Sequence, residues 1–369
     1  MVIIFTSICV SAKATIGSAS RSREQGGGPG FVVHDIVVES LMKLTAYAAL
    51  GVLCSLGPAL AAPQGLNSEA VNGAEWTAKG GKGKEIDPVL IKAQVLLDRA
   101  RFSPGVIDGH NGENLQNALK IFEKTHELKP DGAVDEEAWR KLAETSAEPV
   151  LIDYTITDED VKGPFVDIPD KLEDQAKLDR LGYSSPAELL AEKFHMDVDL
   201  LKALNPDQPF DKAGTAIVVA NVNAKADHGK KEKVAKIQIV KSEKVLRALG
   251  KDGAIMAVYP ASIGSEEKPA PSGTHRVRAV APNPNYTYNP DYAFKGVKAK
   301  EKFEVKPGPN NPVGSTWIDL SVESFGIHGT PEPEKVGKAY SQGCVRLTNW
   351  DVQELARMVE KGTPVEFID

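Results

Sequence analysis

Near the C-terminal end of the 369-residue chain, Cys344 follows Gly343 and stands two residues before Arg346, in the stretch AYSQGCVRL. Sixteen residues earlier His328 lies beside Gly329 in IHGT. A thiol attacks a carbonyl carbon as thiolate, and a free thiol is only a few per cent ionised at neutral pH. A histidine within hydrogen-bond reach takes that proton and later returns it to a leaving amine. Gly343 frees the backbone for a sharp turn, so amide N–H groups near Cys344 can face a developing oxyanion. Arg346 adds a fixed positive charge, suited to a substrate carboxylate or to favouring the thiolate. The chemistry open to these residues is acyl transfer through a thioester.

Blander readings exist for each residue. A lone cysteine is most often a small buried hydrophobe, and a lone histidine beside a strand is usually a satisfied packing group. Zinc needs three or four ligands, and His275 is the only other histidine after residue 235. There is no H-E-x-x-H and no paired-cysteine motif, so neither a metal nor a cofactor is expected. The chain's other two cysteines, Cys9 and Cys54, lie far upstream.

The elements around the pair read as β. AKIQIVK, KVLRALG, AIMAVYPASIG and THRVRAV are short runs rich in β-branched residues, separated by turn signals. A Pro- and Asn-rich stretch at 281–316 reads as a long loop, of the kind that forms a lid or a substrate wall. WIDL, FGIHGT and PVEFID are further strands. NWDVQELARMVEKG is an amphipathic helix with Asn349 as its expected N-cap and Gly362 past its end. Many strands and one late helix predict an all-β sandwich or barrel over 235–369.

Taken together, H-G-T followed by S-x-G-C-V-R resembles the YkuD-type L,D-transpeptidase family, supported by PSGTHRV at 271–277 and NPVGSTWIDL at 311–320. The family commonly has an aromatic residue where His275 stands. The resemblance implies Cys344 as nucleophile and His328 as general base, with the Gly329 carbonyl fixing the imidazole tautomer. Ser341, Gly343 and Arg346 would shape the substrate site. It further implies a peptidoglycan stem tetrapeptide as acyl donor, loss of D-alanine, and transfer to an amine or to water. The acceptor amine would be a second stem, a free D-amino acid or a lipoprotein lysine. Carbapenems would acylate the same thiol. The rival reading is a non-catalytic wall-binding protein with a spent third domain; the intact Cys, His, Gly and Arg argue against it.

Upstream, residues 86–145 carry apolar residues at helical spacing, among them Ile91, Val95, Leu115, Leu119 and Phe122. Asp108-Gly109 and Asp131-Gly132 open two similar turn–helix units, a short internal repeat. The pattern resembles the small helical peptidoglycan-binding domain 1 family, although Asp135 replaces a usual glycine. Residues 150–222 resemble a LysM module, a small α/β glycan binder, either degenerate or carrying an insertion after VLIDYTIT; a structural spacer is the alternative. His195 within it reads as a surface or packing residue. The two modules are expected to supply wall affinity and not chemistry. Stretches 62–85 and 223–234 read as linkers.

Residues 42–61 have a Met-Lys start, an apolar run and Ala59 and Ala61 at its end, the form of a cleaved signal peptide. Residues 1–41 read as neither leader nor domain, so Met42 is the expected start. Leu53 ahead of Cys54 does not fit a lipidation site. These features predict a periplasmic monomer with no membrane span after processing, acting on peptidoglycan stem peptides and glycan. A net charge of −7, from 44 basic and 51 acidic residues and no basic tract, gives nucleic acid no footprint.

Overall fold

The first helix lies where the sequence predicts a linker. In the computed structural model, which describes residues 65–77, 85–224, 233–292, 297, 299–339, 341 and 343–369, α1 spans Ser68–Asn72. The expected leader, the stretch 1–41 and much of both expected linkers lie outside the described residues. The Asn67 side chain caps α1 by accepting the Ala70 N–H, and Val71 is fully buried. Asn72 Oδ1 accepts the N–H groups of Val150 and Leu151, each at 2.9 Å, and the Trp76 indole donates to the Val134 carbonyl. Residues 65–77 are therefore part of a folded body and not a free linker. A single helical turn offers too few apolar positions for periodicity to register.

Three longer helices follow: α2 (Pro88–Arg99), α3 (Glu113–Thr125) and α4 (Glu136–Ala143). Ile91, Val95, Leu115, Leu119, Phe122 and Leu142 point inward and form their common core. Asp135 is the N-cap of α4, accepting the Ala138 N–H at 2.8 Å, which accounts for an aspartate at that turn. Next, β1 (Leu151–Thr155) pairs antiparallel with β2 (Ala216–Ala220), Leu151 opposite Ala220 and Thr155 opposite Ala216. Between them lie α5 (Leu172–Gln175), α6 (Pro186–Lys193) and α7 (Val198–Leu204), the last two capped by Ser185 and Asp197.

The C-terminal part is a mixed sheet folded into a sandwich. Its strands are β3 (Lys236–Val240), β4 (Val245–Leu249), β5 (Ile255–Pro260), β6 (Ser262–Ile263) and β7 (Gly273–Pro282). After β8 (Tyr286–Tyr288) and β9 (Phe303–Val305) come β10 (Thr316–Leu320), β11 (Gly326–His328), β12 (Val345–Arg346), α8 (Asn349–Met358) and β13 (Pro364–Ile368). The nine-stranded order is β5-β4-β3-β13-β7-β10-β11-β12-β6. The ten-residue β7 joins the halves: its first residues pair with β13 and its later ones with β10. Ile237, Ile239 and Leu246 from one half meet Ile318, Ile327 and Val345 from the other, with Val352 and Leu355 of α8 in the same core.

Several expectations need correction here. The stretch 281–316 is not a structureless loop: β8 and β9 pair as a two-stranded hairpin, and Tyr288 stacks on Phe303. Thr348, not Asn349, caps α8, its hydroxyl accepting the Asp351 N–H, and the helix ends at Met358, short of Gly362. Residues 233 and 234 belong to the sandwich rather than to a linker, since Val234 is buried and donates to the Met358 carbonyl.

The upstream modules and the sandwich pack as one body. The described residues, from 65 to 369, fall in a single compact unit. Residues 101–103 lie along the edge strand β5, exchanging backbone bonds with Val258, so that edge is covered. Val240, Val245 and Val258 share the core of the upstream helices. Arg101 pairs with Glu354 at 3.0 Å, and the Ser103 hydroxyl donates to Asp351. His195 is a packing residue at this junction, bonded to Asp98 at 2.9 Å and stacked on Trp350.

Candidate active site

Two short parallel strands place His328 and Cys344 on neighbouring backbones. In the β11–β12 pair, Ile327 lies opposite Val345 and His328 opposite Arg346, and the His328 carbonyl accepts the Leu347 N–H. Cys344 sits one residue before β12, so the register sets it beside the start of β11. A backbone hydrogen bond from Gly326 reaches its sulfur. The thiol is partly exposed, and Sγ lies 3.7 Å from the Ser324 carbonyl.

The turn before the thiol is pinned from beneath. Ser341 is buried; its hydroxyl accepts the Gly264 N–H at 2.6 Å and donates to the Cys344 carbonyl. Its backbone N–H returns a bond to the Gly264 carbonyl. Ser341 thus builds the turn, with both sides of its hydroxyl committed within the protein. Gly343 has φ +104, and a Cβ there would lie 2.8 Å from the Phe325 ring. Glycine is required on both counts.

His328 is buried and stacked on Trp317, with ring centroids 5.5 Å apart. Its Nδ1 lies 2.7 Å from the Gly329 carbonyl. A carbonyl only accepts, so Nδ1 carries the proton and Nε2 keeps its lone pair. Burial drives the imidazole pKa down to about 3, the Arg346 charge pushes the same way, and the Gly329 bond opposes both. Burial raises the Cys344 thiol, against the weaker pull of the Gly326 bond and of Arg346. The expectation that Arg346 favours the thiolate holds in direction but loses to desolvation. The resting pair is a neutral thiol beside a neutral imidazole.

Arg346 has a buried Nε with no partner among the described residues. An unsatisfied buried guanidinium N–H is costly, and an anionic ligand group would satisfy it. Sequence reasoning missed Tyr286, whose hydroxyl is pushed up to about 12 by burial, by Cys344 and by Tyr288. The β8–β9 hairpin therefore places Tyr286 within electrostatic reach of the thiol. The alternation in YTY within a Pro- and Asn-rich stretch was the available signal. Among the described residues no cluster of His, Cys, Asp and Glu could hold a metal ion.

A thiol, a tautomer-fixed imidazole and an arginine whose Nε has no partner among the described residues lie on adjoining strands of a β sandwich. Residues 235–367 match the sequence model of the L,D-transpeptidase catalytic domain, YkuD, and residues 87–142 match "Putative peptidoglycan binding domain". Residues 235–367 are thus similar to an L,D-transpeptidase catalytic domain, and the helical region before them is similar to a peptidoglycan-binding domain. Among curated proteins it is 50% identical over 62 residues to "Putative L,D-transpeptidase YkuD" of Bacillus licheniformis, covering 17% of this chain and 38% of that one. It is 29% identical over 193 residues to "Probable L,D-transpeptidase YbiS" of Escherichia coli K12, covering 51% of this chain and 61% of the relative. The chain therefore spans about two fifths to three fifths of the length of these relatives. A solved L,D-transpeptidase from Mycobacterium smegmatis aligns with 18% identity and a TM-score of 0.30, over 36% of this chain and 58% of that one.

Proposed function

We propose that this protein is a cysteine L,D-transpeptidase acting outside the cytoplasm on peptidoglycan stem tetrapeptides. The observation that carries the reading is the His328 ring, buried with Nδ1 tied to Gly329, opposite an Arg346 whose buried Nε has no partner among the described residues. In the first half-reaction the Cys344 sulfur attacks the carbonyl of the L-configured centre of the diamino acid. Its proton passes to Nε2 of His328 as the C–S bond forms. The tetrahedral oxyanion is met by backbone N–H groups of the Gly343–Cys344 turn. Collapse breaks the peptide bond to the terminal D-alanine, and the imidazolium returns the proton to the departing amine. The D-alanine carboxylate suits the free Nε of Arg346. In the second half-reaction an acceptor amine attacks the thioester, gives its proton to His328, and restores the thiol.

A neutral thiol–imidazole pair suits this cycle, because proton transfer accompanies attack and no stable ion pair must form in a buried site. The upstream modules would hold stem peptide or glycan. Muropeptide mass spectrometry tests the reading. Purified sacculi treated with the full chain should release D-alanine and gain direct diamino acid–diamino acid links or D-amino-acid-exchanged stems. Binding to sacculi with an unchanged muropeptide profile would leave only a wall-binding protein.

A further inference from the structure

Asn349 is fully buried at the start of α8 and touches the catalytic turn. Its Oδ1 accepts the Ser315 N–H at 2.9 Å. The same oxygen lies against Gly329, where an added Cβ would stand only 2.1 Å from it. The Asn349 amide oxygen therefore packs against the Gly329 Cα, next to the carbonyl that holds His328 Nδ1. What braces Asn349 comes from another module. Its Nδ2 donates to both carboxylate oxygens of Glu192 on α6, at 3.1 and 3.0 Å, and to the Pro309 carbonyl at 3.2 Å.

We infer that Glu192 of the second module is a positioning residue for the catalytic base, acting through Asn349 and the Gly329 peptide on His328. The geometry is directional. With Nδ2 held toward Glu192, Oδ1 must face Ser315 and Gly329, and the amide cannot turn over. Glu192 is itself fixed by the Tyr183 hydroxyl, which donates to Oε1 at 2.8 Å. Burial raises its carboxyl to about 7; the bonds from Asn349 and Tyr183 oppose this, the Glu188 charge adds to it and His195 works against it. No wall ligand enters this account. A module expected to supply only affinity would supply part of the frame of the active site. A shift of about 1 Å in a base can cost up to about a hundredfold in rate, so loss of one remote brace is expected to cost about tenfold.

The inference rests on the transpeptidase reading, and the test separates the two. Full-length wild type, Glu192→Ala, Glu192→Gln, Glu192→Asp and Arg101→Ala are compared on a soluble stem tetrapeptide, with circular dichroism checking the fold. Arg101→Ala loosens the junction of the first module with the sandwich, through Glu354, without touching Asn349. Glu192→Ala should lower kcat about tenfold with KM within about twofold. Glu192→Gln, which keeps an acceptor, should stay within about threefold of wild type. Glu192→Asp, with its oxygens withdrawn by one methylene, should lose more than Gln and less than Ala, and it decides the matter should the alanine variant not fold. The 15N signal of the His328 Nδ1–H should broaden in Glu192→Ala and remain sharp in Arg101→Ala. Wild-type kcat in folded Glu192→Ala and Glu192→Asp, or an equal loss in Arg101→Ala, overturns the inference. Should wild type turn over no tetrapeptide, the transpeptidase reading falls. The rate of iodoacetamide alkylation of Cys344, expected about tenfold slower in Glu192→Ala, then still decides the positioning role.

Discussion

His328 is buried as a neutral base, and that state must appear in both stability and rate. In the unfolded chain the ring titrates near its ordinary 6.5, whereas burial and Arg346 take it to about 3 in the fold. Between those values the unfolded state binds a proton that the folded state refuses. His328 therefore lowers stability as pH falls from 6.5 toward 3, and has no such effect above 6.5. At pH 5 the deficit is about 1.5 pH units at about 1.36 kcal/mol each, or about 2 kcal/mol. Two other buried groups act with the opposite sign. Burial raises Asp351 to about 8 and Glu192 to about 7, so the folded state holds their protons more tightly and gains stability as pH falls below those values. The raw pH–stability curve mixes the two signs; the difference between wild type and His328→Gln isolates the histidine. Urea unfolding at pH 7 and pH 5 should show wild type shifting downward by about 2 kcal/mol relative to the variant. In parallel, kcat/KM of wild type should show no acid limb near 6.5, because the free enzyme's base is already neutral there. Identical pH dependence in the two proteins, or an acid limb near 6.5, would refute a neutral buried base.

Other expected outcomes follow from the same geometry. His328→Ala should keep the thiol and lose roughly a hundredfold or more in turnover, read by D-alanine release. A carbapenem should add once to the protein by intact mass and not at all to Cys344→Ala; an adduct surviving in that variant would remove Cys344 from the mechanism. Arg346→Ala should raise KM for tetrapeptides while circular dichroism stays native, and an unchanged KM would detach Arg346 from the substrate carboxylate. A fragment of 233–369 exposes Val240, Val245 and Val258, at about 1.5 kcal/mol each, so its Tm should fall well below that of the full chain.

The reactive residues and the strand pattern were legible because both are local. Short runs with β-branched residues bounded by turn signals mark β3 and β10, and H-G-T with S-x-G-C-V-R falls on the ends of β11 and β12. What was not legible depends on contacts distant in sequence. α1 is one turn long and owes its stability to Val150 and Leu151, some eighty residues on. The β8–β9 hairpin hid in a stretch whose prolines and asparagines read as loop, and with it went Tyr286. Thr348 and Asn349 are adjacent and both suit an N-cap, and composition alone cannot say which carbon chain turns back on the helix. Asn349 was free for the other task only because Thr348 took the cap. The balance at Cys344 depends on burial, which a motif does not state.

On the proposed function, the packing of the upstream modules would change what wall binding can do for the reaction. A module on a flexible tether raises the local concentration of an enzyme near its polymer and leaves it free to search for acceptors. Here the first module lies along β5 and the second grips the turn at 307–311, with Leu181 bonded to Pro307 and Asn310 and Glu188 bonded to the Asn310 side chain. That turn runs from β9, the strand paired with the one carrying Tyr286. With polymer held on modules so fixed, Cys344 would sit at a set displacement from the bound strand. The choice of acceptor would then be governed by that displacement more than by diffusion. The same packing makes the site sensitive to its neighbours: a shift of α6 moves Glu192 against Asn349 and the 307–311 turn together. Affinity and chemistry would then share one frame.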